Sequence, residues 1–368
     1  MNNFNLTKMA TQMFFPGNVA QLDDAGLPSI LVYIPAFKNS DVLNGGDDST
    51  HPAFIVNGKE VPGFYYSKYQ NVVLNGAAYS LPAEDPQTSI TYDAALAACE
   101  AKGPGWHLST AAEWAAIALW CKKNGFLPYG NNYYGKDIKE SEHKAVPTYA
   151  DSNGQTSRVA TGTGPLAWSH DSSMSGIWDM NGNGWERLGG FRLVWGELQI
   201  LANNDAADTD NPQNATSTCW KAINAADGSL VEPESKTTDT AGKASGNTVK
   251  LDYVNNVWTY STTITNVIDS SDKPTNFGRL TFTNAIGAGA ALLLRALALL
   301  PEEGTTSEEY GGDNMYWNNG RNECMLYRGG AYNHGNAAGV FAGSCVSYRN
   351  YQSSGIVFRA AYIPDIIE

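Results

Sequence analysis

The sequence lacks the features that define several large protein classes. Its five cysteines are odd in number, far apart and without a Cys-x-x-Cys pair, which argues against a disulfide scaffold and a zinc ribbon. The chain contains no run rich in Lys and Arg, and its formal net charge is −13. Because nucleic-acid binding depends on basic side chains that neutralise phosphates, we expect no nucleic-acid partner.

Membrane and export signals are also missing. The N-terminus has neither the charged leader nor the continuous apolar stretch of a signal peptide. The longest apolar run, Ala285 to Leu300, is too short to cross a bilayer and contains Arg295, so it predicts a mostly buried helix. We therefore expect a protein made in the cytoplasm without membrane insertion. If the protein acts outside a cell, we expect it to leave by lysis or through a dedicated export machine.

Aromatic residues, in contrast, are plentiful, with 19 Tyr, 12 Phe and 10 Trp. The most informative stretch is Arg328–Arg359, where small framework residues alternate with Tyr, Asn, His, Ser and Arg. Tyr offers a large, stiff contact area, and Ser, Gly and Asn offer adaptable hydrogen bonds, as in antibody combining loops. This mixture predicts a contact surface; an ordinary polar loop is the alternative.

Local patterns predict the elements of the first half. Thr110 and Glu113 have the spacing of a capping box, in which each side chain satisfies a free backbone N–H of the other residue. The predicted elements are a strand at Ile30–Pro35, a hairpin at Phe54–Val61 around Asn57-Gly58, a strand at Gly63–Tyr69, a helix at Tyr92–Lys102 and a second helix from Thr110 to Asn124-Gly125.

The rest of the chain is poorer in helix signals. Residues 209–275 are dominated by Thr, Asp, Asn and Ser and predict a polar insertion, within which Asn247–Val267 alternates like a β-hairpin. Segregated strands and helices indicate an α+β fold rather than a doubly wound sheet. The predicted organisation is an N-terminal arm or assembly segment at 1–28, then one domain at 29–368 that contains the insertion and a variable region at about 314–359.

Four segments together resemble one superfamily, the C-type lectin fold of the formylglycine-generating-enzyme type. They are VYIPA at Val32–Ala36, GWHLSTAAEW at Gly105–Trp114, GIWDMNGNGWE at Gly176–Glu186, and Arg328-Gly-Gly together with Phe358-Arg359. The resemblance implies two helices, twisted antiparallel strands and a polar insertion. The chain departs from the pattern at three points: Gly184 stands for Val, Arg187 for a Trp, and Val357 for a Gly.

Within that superfamily, the segment from Tyr316 to Phe341 is similar to the variable proteins of diversity-generating retroelements. In that family, miscopied adenines diversify chosen codons, and the products bind varied ligands. The resemblance implies diversified, ligand-binding positions among Tyr316, Asn318, Asn319, Arg321, Glu323, Tyr332, Asn333, His334, Asn336, Ser344, Val346, Ser347, Arg349, Asn350, Tyr351, Ser353 and Ser354. Tyr332, Arg349 and Tyr351 are the predicted energetic anchors, whose removal should leave the melting temperature nearly unchanged.

The resemblance also raises two questions of chemistry. In the resembling enzyme the Gly176–Glu186 motif binds calcium, a role that would fall on Asp179, Gly182, Gly184 and Glu186; the alternative is that these residues only form tight turns. The enzyme's reactive cysteine pair is replaced by His334 and Gly339. We therefore expect no enzyme activity and no required cofactor, with an oxidase of the formylglycine type as an alternative.

These expectations combine into a functional hypothesis. The chain is predicted to be a non-enzymatic binding protein for a protein or carbohydrate ligand on a cell surface. A virion component such as a phage tail protein, or an extracellular surface protein, is the expected location. A homo-oligomer, for example a trimer, would strengthen weak single sites through multivalency. A purely structural virion or adhesin part is the second alternative.

Overall fold

A computed structural model describes residues 3–270 and 272–364. The structure is mostly β with few helices. The α-helices are α1 (Asn3–Phe14), α2 (Asn39–Val42), α3 (Tyr92–Glu100), α4 (Ala111–Asn124) and α5 (Ala288–Ala296). No helix in the described part of the chain is long and apolar enough to cross a membrane.

The strands of the first half are short. They are β1 (Asn18–Leu22), β2 (Pro28–Pro35), β3 (Ile55–Val56), β4 (Lys59–Glu60), β5 (Gly63–Ser67), β6 (Val72–Leu74), β7 (Ala77–Tyr79), β8 (Trp106–Leu108), β9 (Pro147–Ala150) and β10 (Thr156–Val159). β3 pairs with β4, β6 with β7, and β9 with β10, each as an antiparallel two-stranded unit.

The second half supplies the longer strands. They are β11 (Trp185–Val194), β12 (Glu197–Ile200), β13 (Lys221–Ile223), β14 (Leu230–Val231), β15 (Ser245–Val254), β16 (Val257–Thr263), β17 (Pro274–Asn276), β18 (Thr281–Phe282), β19 (Asn314–Trp317), β20 (Cys324–Gly329), β21 (Gly339–Ser347), β22 (Ile356–Phe358) and β23 (Ala360–Tyr362).

Two sheets organise these strands. The smaller has the order β1-β2-β5-β23-β8, so a strand from the end of the chain lies between two strands from its first third. The larger follows β17-β19-β21-β20-β11-β12-β15-β16-β18, with β13, β14 and β22 attached beside this path. β22 and β23 follow one another directly, so the C-terminal segment connects the two sheets.

Helix α4 lies at the centre of the core. Its side chains are buried along nearly the whole helix, including Trp114, which donates from Nε1 to the carbonyl of Val340 at 2.7 Å. A helix buried on all sides needs few polar residues, and its alanines allow neighbouring elements to approach closely. The predicted capping box of Thr110 and Glu113 is present, and Gly125 ends the helix with φ of 75°.

A buried ion pair joins the two sheets. Arg359, between β22 and β23, donates from Nε and Nη2 to the Glu186 carboxylate at 2.7 and 2.9 Å. Its Nη1 donates to the carbonyls of Ser67 and Lys68, and its Nη2 also donates to the carbonyl of Trp178. Both side chains are at most 1% exposed. The guanidinium thereby fixes the end of β5, the Trp178 turn and β11 against the C-terminal strands.

Most local predictions are confirmed. The hairpin around Asn57-Gly58 is β3–β4, and the insertion hairpin is β15–β16. The apolar run Ala285–Leu300 contains α5, whose Ala290 and Leu294 are fully buried. Within residues 1–28, predicted as an arm or assembly segment, β1 pairs with β2 at the edge of the smaller sheet. The strands of the predicted insertion extend the larger sheet.

The buried pair predicts a large effect of Glu186→Gln. The substitution leaves the Arg359 guanidinium buried without its counter-charge, so we expect a loss of roughly 3–5 kcal/mol of unfolding free energy. Urea unfolding measures it. Glu303→Gln is the matched control, because Glu303 pairs with Arg295 but its side chain is 79% exposed. Equal losses in the two variants would contradict the role assigned to the buried pair.

A second prediction concerns acid. Burial lowers the pKa of His51 to about 4, and its Nδ1 accepts a hydrogen bond from the amide of Ala53, so protonation would break that contact. An unfolded His titrates near 6.5, so the unfolded state binds the extra proton first. His51 should therefore cost stability as pH falls from about 6.5 to about 4, by up to roughly 1.4 kcal/mol per pH unit.

The measurement is urea unfolding across this pH range in wild type and in His51→Asn. The Oδ1 of the introduced side chain can accept the hydrogen bond from the Ala53 amide. The variant should have a shallower loss of stability on the acid side. The two proteins must be compared because another group also makes stability depend on pH. Burial raises the pKa of Asp179 to about 6, so its contribution to stability grows as pH falls, opposite to that of His51. Parallel curves would refute the assignment to His51.

Candidate functional site: an aromatic cleft at the C-terminal end

A cleft of about 470 Å³ opens beside the C-terminal strands; we call it the aromatic cleft. Trp185 lines it together with three aromatic side chains from one segment near the C-terminus, Tyr327, Tyr332 and His334. Tyr348, Tyr351 and a group of serines from the end of the chain complete it. The full lining is Trp185, Arg321, Tyr327, Ala331, Tyr332, Asn333, His334, Ser344, Val346, Ser347, Tyr348, Tyr351, Ser353, Ser354, Gly355 and Ile356.

The floor of the cleft is rigid sheet. Tyr327 on β20 is paired in register with Ser344 on β21, and β22 runs parallel to the start of β11 at Trp185. The Trp185 ring meets His334 edge to face, with centroids 5.1 Å apart, and Tyr316 in the same way at 6.2 Å. Edge-to-face packing of this kind fixes ring orientation, so the floor is preorganised.

One wall is a loop at residues 348–354, which we call the anchored loop because the framework holds its main chain. The carbonyl of Arg349 accepts from the Tyr92 amide at 3.1 Å, and that of Ser353 accepts from the Ser89 amide at 3.0 Å. The Tyr351 carbonyl accepts from the buried guanidinium of Arg187. Backbone contacts of this kind hold the loop's course and do not depend on which side chains it carries.

The side chains of the anchored loop behave differently from its backbone. Tyr348 is 44% exposed and Tyr351 is 47% exposed. Asn350 and Ser354 are also exposed. The fixed loop therefore presents two exposed tyrosine rings that would cost little entropy to immobilise.

The opposite wall is held in the same manner. The Tyr332 carbonyl accepts from the Tyr134 amide at 2.8 Å, and the Gly335 amide donates to the Asn132 carbonyl at 2.9 Å. The Tyr332 ring packs edge to face on Tyr134, with centroids 5.6 Å apart. Asn333 projects from this wall with its side chain exposed.

Little charge faces the cleft. Arg321 is the cationic member of its lining, and its Nε donates to Asp269 at 2.7 Å while its Nη1 donates to the Val346 carbonyl at 2.6 Å. The guanidinium lies over the Tyr348 ring, 4.8 Å from its centroid. Burial lowers the pKa of His334, which favours its neutral form at neutral pH. The surface therefore suits a polar, weakly charged ligand recognised by stacking and hydrogen bonds.

The structure brings together ten of the seventeen positions predicted to bind ligand: Arg321, Tyr332, Asn333, His334, Ser344, Val346, Ser347, Tyr351, Ser353 and Ser354. Tyr316 lies at the edge of the same aromatic group, against Trp185 and His334. Asn336 and Asn350 are exposed outside the lining. The remaining four, Asn318, Asn319, Glu323 and Arg349, lie outside this lining, and ligand binding by them stays a prediction.

Arg349 and Glu323 are structural rather than exposed. Arg349 donates from Nε and Nη2 to the Glu323 carboxylate, both at 2.9 Å, and from Nη1 to Asp93 at 2.7 Å. Its guanidinium also lies over Tyr92, 4.8 Å from the ring centroid. With its side chain only 12% exposed, Arg349 is directed into the framework and away from the cleft. It therefore differs from the exposed anchor that the sequence predicted.

Asn318 and Asn319 are also structural. Both are at most 2% exposed. Asn319 donates to the carbonyls of Leu251 and Asn266, both at 2.9 Å, and accepts from the Ile268 amide at 2.6 Å. Its amide thus ties the insertion to the turn after β19, where an exchanged side chain would leave backbone groups unsatisfied.

The sequence interpretation missed Trp185, Tyr327 and Tyr348 in the lining. Strand alternation would have found Tyr348, because Ser344 and Val346 precede it at intervals of two and therefore point to the same face. Trp185 lies far away in the sequence, and only the parallel pairing of β11 with β22 brings it to the cleft. No local pattern could have indicated that neighbour.

The predicted calcium donors form a different arrangement. Asp179 Oδ2 accepts from the Gly162 amide at 2.8 Å, and its buried Oδ1 has no hydrogen-bond partner among the described residues. Glu186, however, has both oxygens on Arg359 and also accepts from Gln70 at 3.0 Å. The Glu186 carboxylate is thus occupied by Arg359, which disfavours its use as a calcium ligand. Calcium binding by Asp179, Gly182, Gly184 and Glu186 stays a prediction. The described residues contain no group of three or more His, Cys, Asp or Glu arranged to hold a metal ion.

The cysteines nearest the cleft are buried. Cys345 on β21 donates from Sγ to the carbonyl of Cys324 at 3.2 Å, and both residues are fully inaccessible. Burial raises the pKa of Cys324 to about 12 and that of Cys345 well above its ordinary value. Since a thiol oxidase needs an accessible thiolate, these two residues do not provide its chemistry.

Comparisons with known proteins yield remote likenesses. No family model matches the sequence, and no curated protein matches it. Similar solved structures include "Major Tropism Determinant P3c Variant" (10% identity, 94% of this chain and 71% of that chain, TM-score 0.29) and "Major Tropism Determinant U1 Variant" (10%, 94% and 71%, 0.28). "Structure of PvdO from Pseudomonas aeruginosa" is a third (13%, 91% and 94%, 0.30).

The fold itself is consistent with the C-type lectin-like class. It is mostly β, with few helices, and its C-terminal strand β23 lies between early strands of the smaller sheet. The remote likenesses do not establish a family, and the functional assignment depends on the cleft.

The contacts of Arg349 predict a clear contrast in stability between alanine variants of Arg349 and Tyr351. Arg349→Ala removes two hydrogen bonds from the buried Glu323 carboxylate and should cost roughly 1–3 kcal/mol of unfolding free energy. Tyr351→Ala should change stability little, because its ring is 47% exposed and the framework contacts its backbone. Chemical unfolding of the two variants tests this contrast, and similar stabilities would contradict it.

Proposed function

We propose that the chain is a non-enzymatic receptor- or ligand-binding protein whose contact surface is the aromatic cleft. The observation that carries the proposal is the separation of roles in the anchored loop. Its carbonyls are bound by Tyr92, Ser89 and Arg187, while Tyr348 and Tyr351 face solvent. Side chains on such a loop can change without loss of the fold, since exposed substitutions usually alter stability by less than about 0.5 kcal/mol.

The ligand chemistry follows from the lining. Tyr and Trp dominate energetic hot spots at protein interfaces, and the serines and Asn333 add adaptable hydrogen bonds. Formal charge is sparse, so strong electrostatic selection of a highly charged partner is not expected. A protein or carbohydrate receptor on a cell surface fits these properties.

The resemblance of the sequence motifs extends the proposal. They support a C-type lectin-like fold of the formylglycine-generating-enzyme type, with a surface diversified by a retroelement. A phage tail or another surface-recognition protein is the carrier we propose. The described cleft residues are compatible with diversification, because ten proposed variable positions cluster there on framework-held backbone.

Binding should depend on the cleft tyrosines. We expect the combined substitution Tyr332→Ala, Tyr348→Ala and Tyr351→Ala to weaken binding at least about tenfold, because aromatic anchors dominate such surfaces. The probes are immobilised bacterial cells of several strains and a glycan array. The readout is the dissociation constant of labelled protein on the surfaces to which the wild-type protein binds.

Tyr149→Ala is the matched control, because Tyr149 is 52% exposed but lies on β9, outside the cleft. Circular dichroism and melting temperatures should be alike in all three proteins. Retention of full binding by the triple variant, or an equal loss in Tyr149→Ala, would refute the cleft as the contact surface.

Diversification has its own test in the neighbouring DNA. We expect a near-copy of the coding region for residues 314–359 that differs only at adenines, next to a reverse transcriptase gene. Genome sequencing around the coding region supplies the observation. A region without such a copy would refute diversification while leaving ligand binding intact.

We also propose a homo-oligomer, for which a trimer is one arrangement. Helix α1 supports this proposal, since Met13 is 73% exposed on it and Phe14 at its end is equally exposed. Adjacent exposed apolar side chains that form a contiguous patch mark interaction surfaces in many proteins. A strict monomer at micromolar concentration in sedimentation velocity would refute the proposal.

A further inference from the structure

A second cleft lies within the polar insertion; we call it the insertion cleft. It has a volume of about 510 Å³, which is in the range of small-ligand sites. Its walls come from two segments of the insertion, 215–220 and 232–238, which meet over Arg192 of β11. It shares no lining residue with the aromatic cleft.

Arg192 forms the base of the insertion cleft. The residue is 4% exposed. Its Nε donates to Gln199 at 2.9 Å, and its Nη1 donates to the Ala215 carbonyl and to Glu323, each at 2.9 Å. The guanidinium lies 4.4 Å from the centroid of the Trp220 ring. Together these contacts fix the guanidinium plane.

One nitrogen of Arg192, its Nη2, has no hydrogen-bond partner among the described residues, although Nε and Nη1 are fully used. This atom is not enclosed by the protein. Because Arg192 lines the insertion cleft, we infer that Nη2 faces it. A cationic donor that is nearly buried, held rigidly and open towards a cavity is suited to bind an oxyanion.

The walls add further unoccupied donors. Lys236, Thr218 and Thr238 are exposed at the cleft, and in the described structure no ion pair or side-chain hydrogen bond engages their Nζ or hydroxyl atoms. The acidic member of the lining, Glu232, is paired with Lys221 outside it. The free groups are therefore cationic or hydroxylic.

The charges at the base are balanced. Glu323 is shared between the guanidiniums of Arg192 and Arg349, and Asp93 pairs with Arg349 from the solvent side, so two cations face two carboxylates. Lys236 at the rim is the additional positive charge that an incoming carboxylate meets.

We propose that the insertion cleft binds an acidic sugar, with its carboxylate on Arg192 Nη2 and Lys236 Nζ and its hydroxyls on Thr218 and Thr238. Pro233 lines the same cavity and offers an apolar surface to the C–H face of a sugar ring. This site is independent of the aromatic cleft and of the ligand proposed there.

The experiment titrates the full chain with sodium D-glucuronate and follows binding by ligand-observed NMR. Neutral glucose and sodium acetate are the comparison probes. Glucuronate should bind at least about tenfold more tightly than either, because each comparison probe lacks half of the recognised groups. Equal affinity for glucose or acetate would overturn the proposal, as would the absence of glucuronate binding.

Variants then place the site. Lys236→Glu should weaken glucuronate binding at least about tenfold and Thr218→Val several-fold, while Lys243→Glu is the matched control. Lys243 belongs to the same insertion and is exposed, but it does not line the cleft. Arg192→Lys should also weaken binding, with its melting temperature recorded because Arg192 contacts Glu323. Unchanged binding in both Lys236→Glu and Thr218→Val, or an equal loss in Lys243→Glu, would refute this location.

Discussion

The contact between Arg359 and Glu186 is the constraint on which the rest of the structure depends. Two opposite charges that are at most 1% exposed must satisfy one another and their remaining hydrogen-bonding groups within the protein. Arg359 does so by binding the carboxylate and three main-chain carbonyls from two segments, Ser67-Lys68 and Trp178. Because both partners sit at strand ends where the two sheets meet, this one site fixes the C-terminal strands. The walls of the aromatic cleft then follow from those strands.

Arginines recur in this structure as main-chain anchors. Arg187, which departs from the resembling motif, donates to the carbonyls of Ile90 and Tyr351, and Arg328 donates to those of Ala298 and Phe341. Bonds to carbonyls are independent of neighbouring side chains, so the framework holds loops without restricting their composition. Under the diversification that we propose, this separation lets a fixed cleft carry exchanged tyrosines, serines and amides.

The Arg192–Glu323–Arg349 group serves a different purpose. It joins β11, the start of β20 and the anchored loop through charge rather than through backbone pairing. One side of this group faces the insertion cleft and the other supports the loop that walls the aromatic cleft. Two surfaces of different chemistry, one aromatic and nearly neutral, the other cationic and hydroxylic, therefore share one buried carboxylate.

The sequence by itself determined the local elements. The capping box at Thr110 and the Asn57-Gly58 hairpin depend on residues within a few positions of one another, so their patterns can be interpreted without tertiary information. The C-terminal contact segment was also indicated, because its Tyr, Ser and Asn content departs from that of a core. Only the tertiary structure decided that Tyr351 faces solvent while Arg349, two residues earlier, is buried against Glu323 and Asp93. An exposed surface and a buried polar network can have the same residue composition. Only long-range strand pairing decides to which of the two a given side chain belongs.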